Sequence, residues 1–404
     1  MTTNAPADLA LLTGETAGEL MTALLATAGA TPLGRSLRHV DHQPGVRTTV
    51  AYAARVRWAD GSETREQFGA SSGKLPEGVA VLDDGRSRVG MWRVPFDPDL
   101  PALAAAHDPA RAGRLAAGLG LGDGPARVHL VAYRPRRRAV VRISGSGGTF
   151  FAKIVRPGRA EALHERHRLL SEAGCPVPAP LGWNADGLVA LGALPGRTLR
   201  RHLLDASADA VDPAEVLAVL DALPASIAGG APQRTWGQRA PFYASLIAAS
   251  CPELGERAHR IASAVDHRAP EGPAVPVHGD FYESQLILDG PTVTGLLDVD
   301  TAGTGERLDD AGCLLGHLAV LSGLHPAAAT TIDGLAAGLR ARLAAGLDPA
   351  ALARRTAAVV LSLATGPARV RTPDWRAATQ DRIALAERCL GSTQKLSTMD
   401  SAVA

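Results

Sequence analysis

"VHGDFYESQLILDG", residues 277–290, opens as a polar turn holding His278 and Asp280 and becomes an apolar strand at Leu286, just after Gln285. Its sequel, "TVTGLLDVDTAGTGERLDD" (292–310), supplies a second strand that ends at Asp298, eighteen residues after Asp280. A strand-turn-strand hairpin of that length returns its two carboxylates to one end, and Gln285 adds an amide oxygen. Hard oxygen donors of this kind suit Mg2+, which keeps waters and phosphates as the rest of its shell. Phosphoryl transfer needs such an ion, a positioned hydroxyl and a carboxylate that accepts its proton. The plain alternative is that each Asp only caps a turn, which covers either residue alone better than it covers the set.

At 404 residues the chain has room for two or three domains, and 46% hydrophobic with 21% charged residues describes a folded, soluble protein. The formal net charge of +1 gives no global electrostatic case for nucleic acid or an anionic membrane, so neither is expected as a partner. Cys175, Cys251, Cys313 and Cys389 are far apart with no CxxC pair, as small buried apolar side chains in a reducing compartment would be. No segment reaches the ~18 uninterrupted apolar residues of a membrane span, and no charged leader precedes an apolar core. A cytoplasmic monomer or homodimer is the expectation.

Along the chain, residues 8–28 have helical spacing, with Thr13 as a candidate cap. "TTVAYAARVRWADGSETREQFG" then reads as two strands joined at Asp60-Gly61, and "VAVLDDGRSRVGMWRVP" repeats the pattern around Asp84-Gly85. The proline-rich run "PFDPDLP" (95–101) marks a boundary, which leaves a small α+β module over 1–98. One helix ("LAAAHDPARAGRLAAGLG"), an antiparallel three-stranded meander ending in "TFFAKIV" and the helix "GRAEALHERHRLLSEAG" occupy 99–193, and "VALGALPGRTL" crosses out of the region as a strand and a Pro-Gly turn. From 194 to 390 the pattern is mainly helical, and 391–404 reads as a flexible tail.

Two further features bear on chemistry. Only Lys74, Lys153 and Lys395 occur among 42 basic residues, so each lysine stands out from the arginines. Lys153, in a strand otherwise made of Phe, Ala, Ile and Val, is a flexible point charge suited to phosphate oxygens, or else simply projects from the solvent face. Twelve residues on, Glu165 is placed in the next helix to hold that ammonium, with Glu161 as the rival. "YRPRRRA" (133–139) puts Arg136 and Arg137 in a hairpin turn, where arginines and backbone amides can cover nucleotide phosphates. A glycine-rich sequence is absent from that turn.

Taken in order (hairpin, Lys strand, Glu helix, crossover, HGDxxxxQ, LDVD), these elements resemble the protein-kinase-like fold, in particular the aminoglycoside phosphotransferase and choline kinase group of small-molecule kinases. The resemblance covers roughly 125–320. It implies an α+β, bilobal fold: an antiparallel-sheet N-lobe over 99–193, a mainly helical C-lobe over 194–390, and the 1–98 module as an extra N-terminal cap. It further implies Asp280 as catalytic base and Asp298 as the main Mg2+ ligand, with Gln285 and Asp300 completing the metal set. ATP is the implied phosphate donor. Lys153, paired with Glu165, would contact its phosphates, and Ala190, Gly192 and Ala193 would lie beside adenine. Asp310 would brace the loop. Gln285 departs from the Asn usual in the group; maltokinases and related sugar kinases carry Gln there and a cap of similar size, whereas "DFYESQ" and "DVDTA" depart from that subgroup in turn.

The expected activity is therefore ATP- and Mg2+-dependent transfer of the γ-phosphate to a hydroxyl of a small polar molecule: a sugar, amino sugar or aminoglycoside. A non-catalytic kinase-like nucleotide-binding module is the alternative, for which Gln285 and the absent glycine loop argue. A metallophosphohydrolase using His278, Asp280, Asp298 and Asp300 lacks the further His or carboxylate ligands such sites need.

Overall fold

Asp60-Gly61 closes a hairpin as its sequence demands: Gly61 lies at φ 82°, Trp58 N–H donates to the Ser62 carbonyl, and Gly61 N–H donates to the Trp58 carbonyl. The computed structural model describes residues 5–43, 45–75, 79–83, 88–205, 209–266 and 271–400, with side chains described from 8 to 391 within those stretches. The chain divides into two compact units: Met1–His164 with Pro180–Ala193 and Arg369–Arg371, and Glu165–Ala179 with Leu194–Ala368 and Thr372–Ala404.

In the first unit, helices α1 (Ala5–Thr13) and α2 (Thr16–Ala26) replace the single helix expected over 8–28. Thr13 ends α1 instead of starting a helix, its hydroxyl donating to the Leu9 carbonyl, and Gly14 with its low helix propensity follows. Strands β1 (Thr31–Gln43), β2 (Arg47–Arg57), β3 (Glu63–Ser72), β4 (Ala80–Asp83) and β5 (Arg88–Arg93) form an antiparallel sheet in the order β1-β2-β3-β5-β4. Register shifts at Pro32/Gly34 and Leu37/His39 interrupt the alternation of β1, which hides that edge strand from a period-two reading. The expected Asp84-Gly85 turn lies outside the described residues. Leu12, Met21, Val50, Tyr52 and Phe68 form the core of this layer.

The stretch after 101 folds as two helices, α3 (Ala102–His107) and α4 (Pro109–Gly118), because Asp108 caps the second: its carboxylate accepts from Arg111 N–H at 2.7 Å, with Pro109 in the first turn. The same Asp-Pro device starts two helices of the second unit, at Asp212 and Asp348. Strands β6 (Arg127–Arg134), β7 (Arg138–Gly145) and β8 (Gly148–Val155) form the expected meander. After α5 (Ala160–Glu172), β9 (Pro180–Trp183) and β10 (Leu188–Gly192) return to the same sheet, in the order β6-β7-β8-β10-β9. Thus β10 pairs with β8, Val189 opposite Lys153, before the chain leaves the region. One face of this sheet (Val141, Ala152, Ile154, Ala190) packs with Leu103, Ala106 and Ala112; the other (Val155, Val189, Leu191) packs with Ala160 and Leu163 of α5.

The second unit is mainly helical. Strand β11 (Arg197–Thr198) precedes α6 (Leu199–Leu203), α7 (Pro213–Asp221), α8 (Trp236–Ser250) and α9 (Gly255–Val265). Four short strands follow, β12 (Ala274–Val277), β13 (Leu286–Asp289), β14 (Thr292–Leu296) and β15 (Gly303–Glu306); β13 and β14 form a hairpin and β12 pairs with β15. Then come α10 (Arg307–Leu324), α11 (Ala329–Leu343), α12 (Pro349–Leu363), α13 (Gly366–Val370) and α14 (Trp375–Asp400). No Pro follows Pro373 to interrupt α14. One core gathers Phe281, Leu286, Leu296, Val299 and Leu315, and a second gathers Trp236, Ile247, Ile261 and Val359. Helix α10 is buried along nearly its whole first half. Among the described residues no single helix is long and apolar enough to cross a membrane. Cys175, Cys251 and Cys313 are buried and Cys389 half-buried, without disulfides.

Candidate active site

The loop after β12 is held by its own backbone. Asp310, fully buried in the first turn of α10, accepts from His278 N–H at 2.7 Å and from Gly279 N–H at 2.8 Å. Gly279 sits at φ 81°, and a Cβ there would lie 2.9 Å from the Thr301 carbonyl oxygen, so this turn requires glycine. The His278 ring is buried; its Nδ1 accepts from Asp280 N–H at 3.3 Å, which leaves Nε2–H to donate to the Leu297 carbonyl at 2.8 Å. Leu297 N–H in turn donates to the Gln285 carbonyl at 2.7 Å. The Leu297 residue is therefore gripped from both sides, by the Asp280 loop and by Gln285. The next residue, Asp298, adopts φ 56°, ψ 48°, a left-handed conformation that side chains other than glycine occupy at some cost and that recurs at functional sites.

Asp280 and Asp298 are half-buried and Gln285 is buried. Both aspartates bear on one phenol: burial raises the Tyr282 hydroxyl well above its ordinary range, and the charges of Asp280 and then Asp298 add to that shift. Behind Asp280 lies the Cys313 thiol, 3.9 Å from Oδ1, held protonated by burial and by the surrounding carboxylates. His317, one turn further along α10, stacks on Tyr282 with ring centroids 4.2 Å apart. Burial first, then Arg200 and Arg382, push the His317 pKa down to about 4, so the ring is neutral near pH 7. Tyr282, Cys313 and His317 escaped the sequence reading; the signal was available, since Cys313 and His317 follow Asp310 at i+3 and i+7 on one helical face. Asp300 is half-buried, and its carbonyl accepts from Arg166 at 2.8 Å.

The neighbouring acids are already engaged. Buried Glu283 ion-pairs with Arg200 at 3.2 Å. Fully buried Arg355 reaches three carboxylates, Glu306 at 2.9 Å, Glu271 at 3.1 Å and Asp309 at 3.2 Å. Asp309 also accepts from Trp236 N–H at 2.9 Å. Arg354 also pairs with Glu271, at 2.5 Å, and burial raises the Asp309 carboxyl from 3.8 to about 6 in spite of Arg355. Between those values the folded chain keeps a proton that the unfolded chain has lost, so this group's contribution to stability falls as pH rises from about 4 to about 6 and is constant above. Asp309→Asn is expected to flatten that part of the stability-pH curve, measured by urea unfolding at half-unit steps.

The remaining expected residues lie in the first unit. Lys153 is 6% exposed and, by strand alternation, stands on the sheet face that carries Val155 and Val189 beside α5. Ala190 and Gly192 pair with Ala152 and Phe150, and Ala193 is the last residue of this unit before the second begins. Arg136 is anchored within its own unit. At φ 62° its N–H donates to Asp97 at 2.8 Å, while its guanidinium is taken up by Asp99 at 2.8 Å, the Lys74 carbonyl at 3.0 Å and Ser71 at 3.3 Å. The run "PFDPDLP" supplies these acids, so Arg136 ties the hairpin turn down. Arg137 is half-exposed and lies 3.8 Å from Asp41. Glu165, counted with the second unit, ion-pairs with Arg168 at 2.6 Å.

The model of the phosphotransferase enzyme family (APH) matches residues 135–358, more than half of the chain. This chain belongs to that family and is a small-molecule phosphotransferase acting on an alcohol group. Solved structures similar to it include aminoglycoside phosphotransferase APH(3'')-Id from Streptomyces rimosus (22% identity, 61% of this chain and 96% of that one, TM-score 0.42). Macrolide 2'-phosphotransferase MphH from Brachybacterium faecium is another (20% identity, 69% and 96%, TM-score 0.40). A third is aminoglycoside-3'-phosphotransferase of type VIII (23% identity, 59% and 93%, TM-score 0.41). No curated protein matches the chain. The first 134 residues, with the whole β1–β5 sheet, lie outside the family match.

Proposed function

We propose that this enzyme transfers the γ-phosphate of ATP to a hydroxyl of a small, largely neutral polyhydroxylated molecule, a sugar or amino sugar in preference to an aminoglycoside. The observation that carries the reading is the pair of hydrogen bonds on Leu297, which couples the Asp280 loop and Gln285 to the left-handed Asp298. In this assignment Asp280 orients the acceptor hydroxyl and takes its proton, while His278 and buried Asp310 keep the loop in place. Asp298 and Gln285, with Asp300, would hold Mg2+; two carboxylates and an amide offer only hard oxygens, and the donor set fits that ion. Bound there, the ion would neutralise charge on the phosphates. Lys153 would offset phosphate charge, with Ala190, Gly192 and Ala193 beside the base.

The preference for a neutral acceptor rests on charge. Glu283 is matched by Arg200, and Glu271, Glu306 and Asp309 converge on Arg355, so the acids near the loop in sequence are committed to internal arginines. A polycationic substrate would need uncommitted carboxylates. An ADP-release screen across sugars, amino sugars, aminoglycosides and amino alcohols tests this: turnover with a neutral sugar, abolished by a chelator and restored by Mg2+, is expected. Turnover confined to aminoglycosides would overturn the acceptor class. Gln285→Ala is expected to raise the Mg2+ concentration for half-maximal rate by at least about tenfold, a scale reached even by partners that only orient a metal ligand.

A further inference from the structure

We propose that the first unit carries a separate anion site, built by Arg47, Lys74, Arg136 and Arg156, that binds a phosphate-bearing small molecule. These side chains line a cavity of about 660 Å3 formed where the start of β2 and the end of β3 meet the β6–β7 turn and the residues after β8. That volume is in the range of small-ligand pockets. The site lies wholly within one compact unit, and Lys153 is not among its lining residues, so it is distinct from the phosphate role given to that lysine.

The charge balance points to the ligand. Four cations face one carboxylate, Asp99, which already accepts from Arg136 at 2.8 Å and lies 3.4 Å from Arg156. Arg47 is the least satisfied: its Nε is buried and has no hydrogen-bond partner among the described residues. A buried donor left unpaired is costly, and an anion in the cavity supplies the missing acceptor. Burial, then the charges of Arg136 and Arg156 against the relief of Asp41, lower the Arg47 pKa, as expected of a cation awaiting a counter-ion. Arg136 is preset by its Asp97, Ser71 and Lys74 contacts, so little ordering remains to be done on binding. Lys74, one of three lysines in the chain, is exposed at the rim as a mobile charge. The excess positive charge suits a di- or polyanion, and guanidinium forks match phosphate geometry.

The test is a thermal-shift titration of the full chain at low ionic strength with pyrophosphate, inorganic phosphate and a hexose phosphate, repeated on Arg47→Gln, Lys74→Gln and Lys153→Ala. A saturable rise in melting temperature with pyrophosphate or the hexose phosphate is expected. Its apparent Kd should weaken at least about tenfold in Arg47→Gln, the equivalent of losing one charge-assisted contact. Lys74→Gln changes only an exposed side chain and gives the same direction without risk to folding. The response should survive in Lys153→Ala, which separates this site from the nucleotide site and keeps the proposal independent of the assignment above. A response to inorganic phosphate as tight as to pyrophosphate supports the site, with free phosphate as its ligand. Absence of any saturable response overturns the proposal, as does a response that disappears in Lys153→Ala yet persists in Arg47→Gln and Lys74→Gln.

Discussion

Asp280→Asn is expected to lower kcat by about two to four orders of magnitude, the usual worth of a positioned general base, with the melting temperature unchanged. The amide preserves the size and a hydrogen-bonding tip but accepts no proton from the acceptor hydroxyl. Because the lost interaction belongs to the transition state, kcat and kcat/KM should fall together and KM for ATP should stay put. Asp310→Asn provides the contrast. Its carboxylate carries two backbone N–H groups of the same loop from a fully buried position, so this change should lower stability and kcat together. Steady-state kinetics beside thermal unfolding of both variants separates the two roles. Undiminished turnover in Asp280→Asn would remove the base assignment, leaving the family membership untouched.

The legible parts of this fold are those where local pattern and long-range packing agree. The β13–β14 hairpin announces itself through "LILDG" and the apolar strand that follows, and it carries Asp298 back toward the start of its own motif. Lys153 could be placed on a strand from its apolar neighbours, and the register then assigns its face. The protein partners of Arg136 are not legible in the sequence, because a basic turn looks alike whether it faces phosphate or protein. Its partners Asp97 and Asp99 lie nearly forty residues upstream, in a run that reads only as a boundary. Helix starts show the same division: Asp108-Pro109 splits a helix that composition alone would join, because the cap geometry overrides continuous Ala-rich propensity.

Arg355 is the extreme case, and its replacement should have the largest effect on stability. In "LARRTAAVV" it reads as one more arginine on an Ala-rich helix, yet it is fully buried, and it fits against α10 because residue 312 is glycine: a Cβ there would approach the Arg355 Cβ to 2.7 Å. Glu306 and Asp309 rest on its single charge, whereas Glu271 is shared with Arg354 at 2.5 Å. Arg355→Met keeps most of the volume but strands two buried carboxylates, Glu306 and Asp309, and removing one partner from a buried ion cluster costs about 3–5 kcal/mol. Without the cation, the Asp309 carboxyl, already raised to about 6 by burial, moves further above its unfolded value. The folded variant then holds protons that the unfolded chain releases, and the deficit should shrink as pH falls from 7 toward 5. Adding Glu306→Gln and Asp309→Asn to Arg355→Met should restore part of the loss at pH 7, because two stranded charges become neutral amides. Urea unfolding of the single and triple variants at pH 7 and pH 5 measures both effects. A loss below about 1 kcal/mol at pH 7, within reach of an exposed ion pair, would show that the cluster is not a charge-dependent brace. The His278–Asp280 loop is coupled to the same region, since Asp309 and Asp310 are consecutive: one anchors Trp236 to this cluster and the other holds His278 and Gly279. Arg355→Met should therefore also lower kcat at temperatures where the protein is still folded.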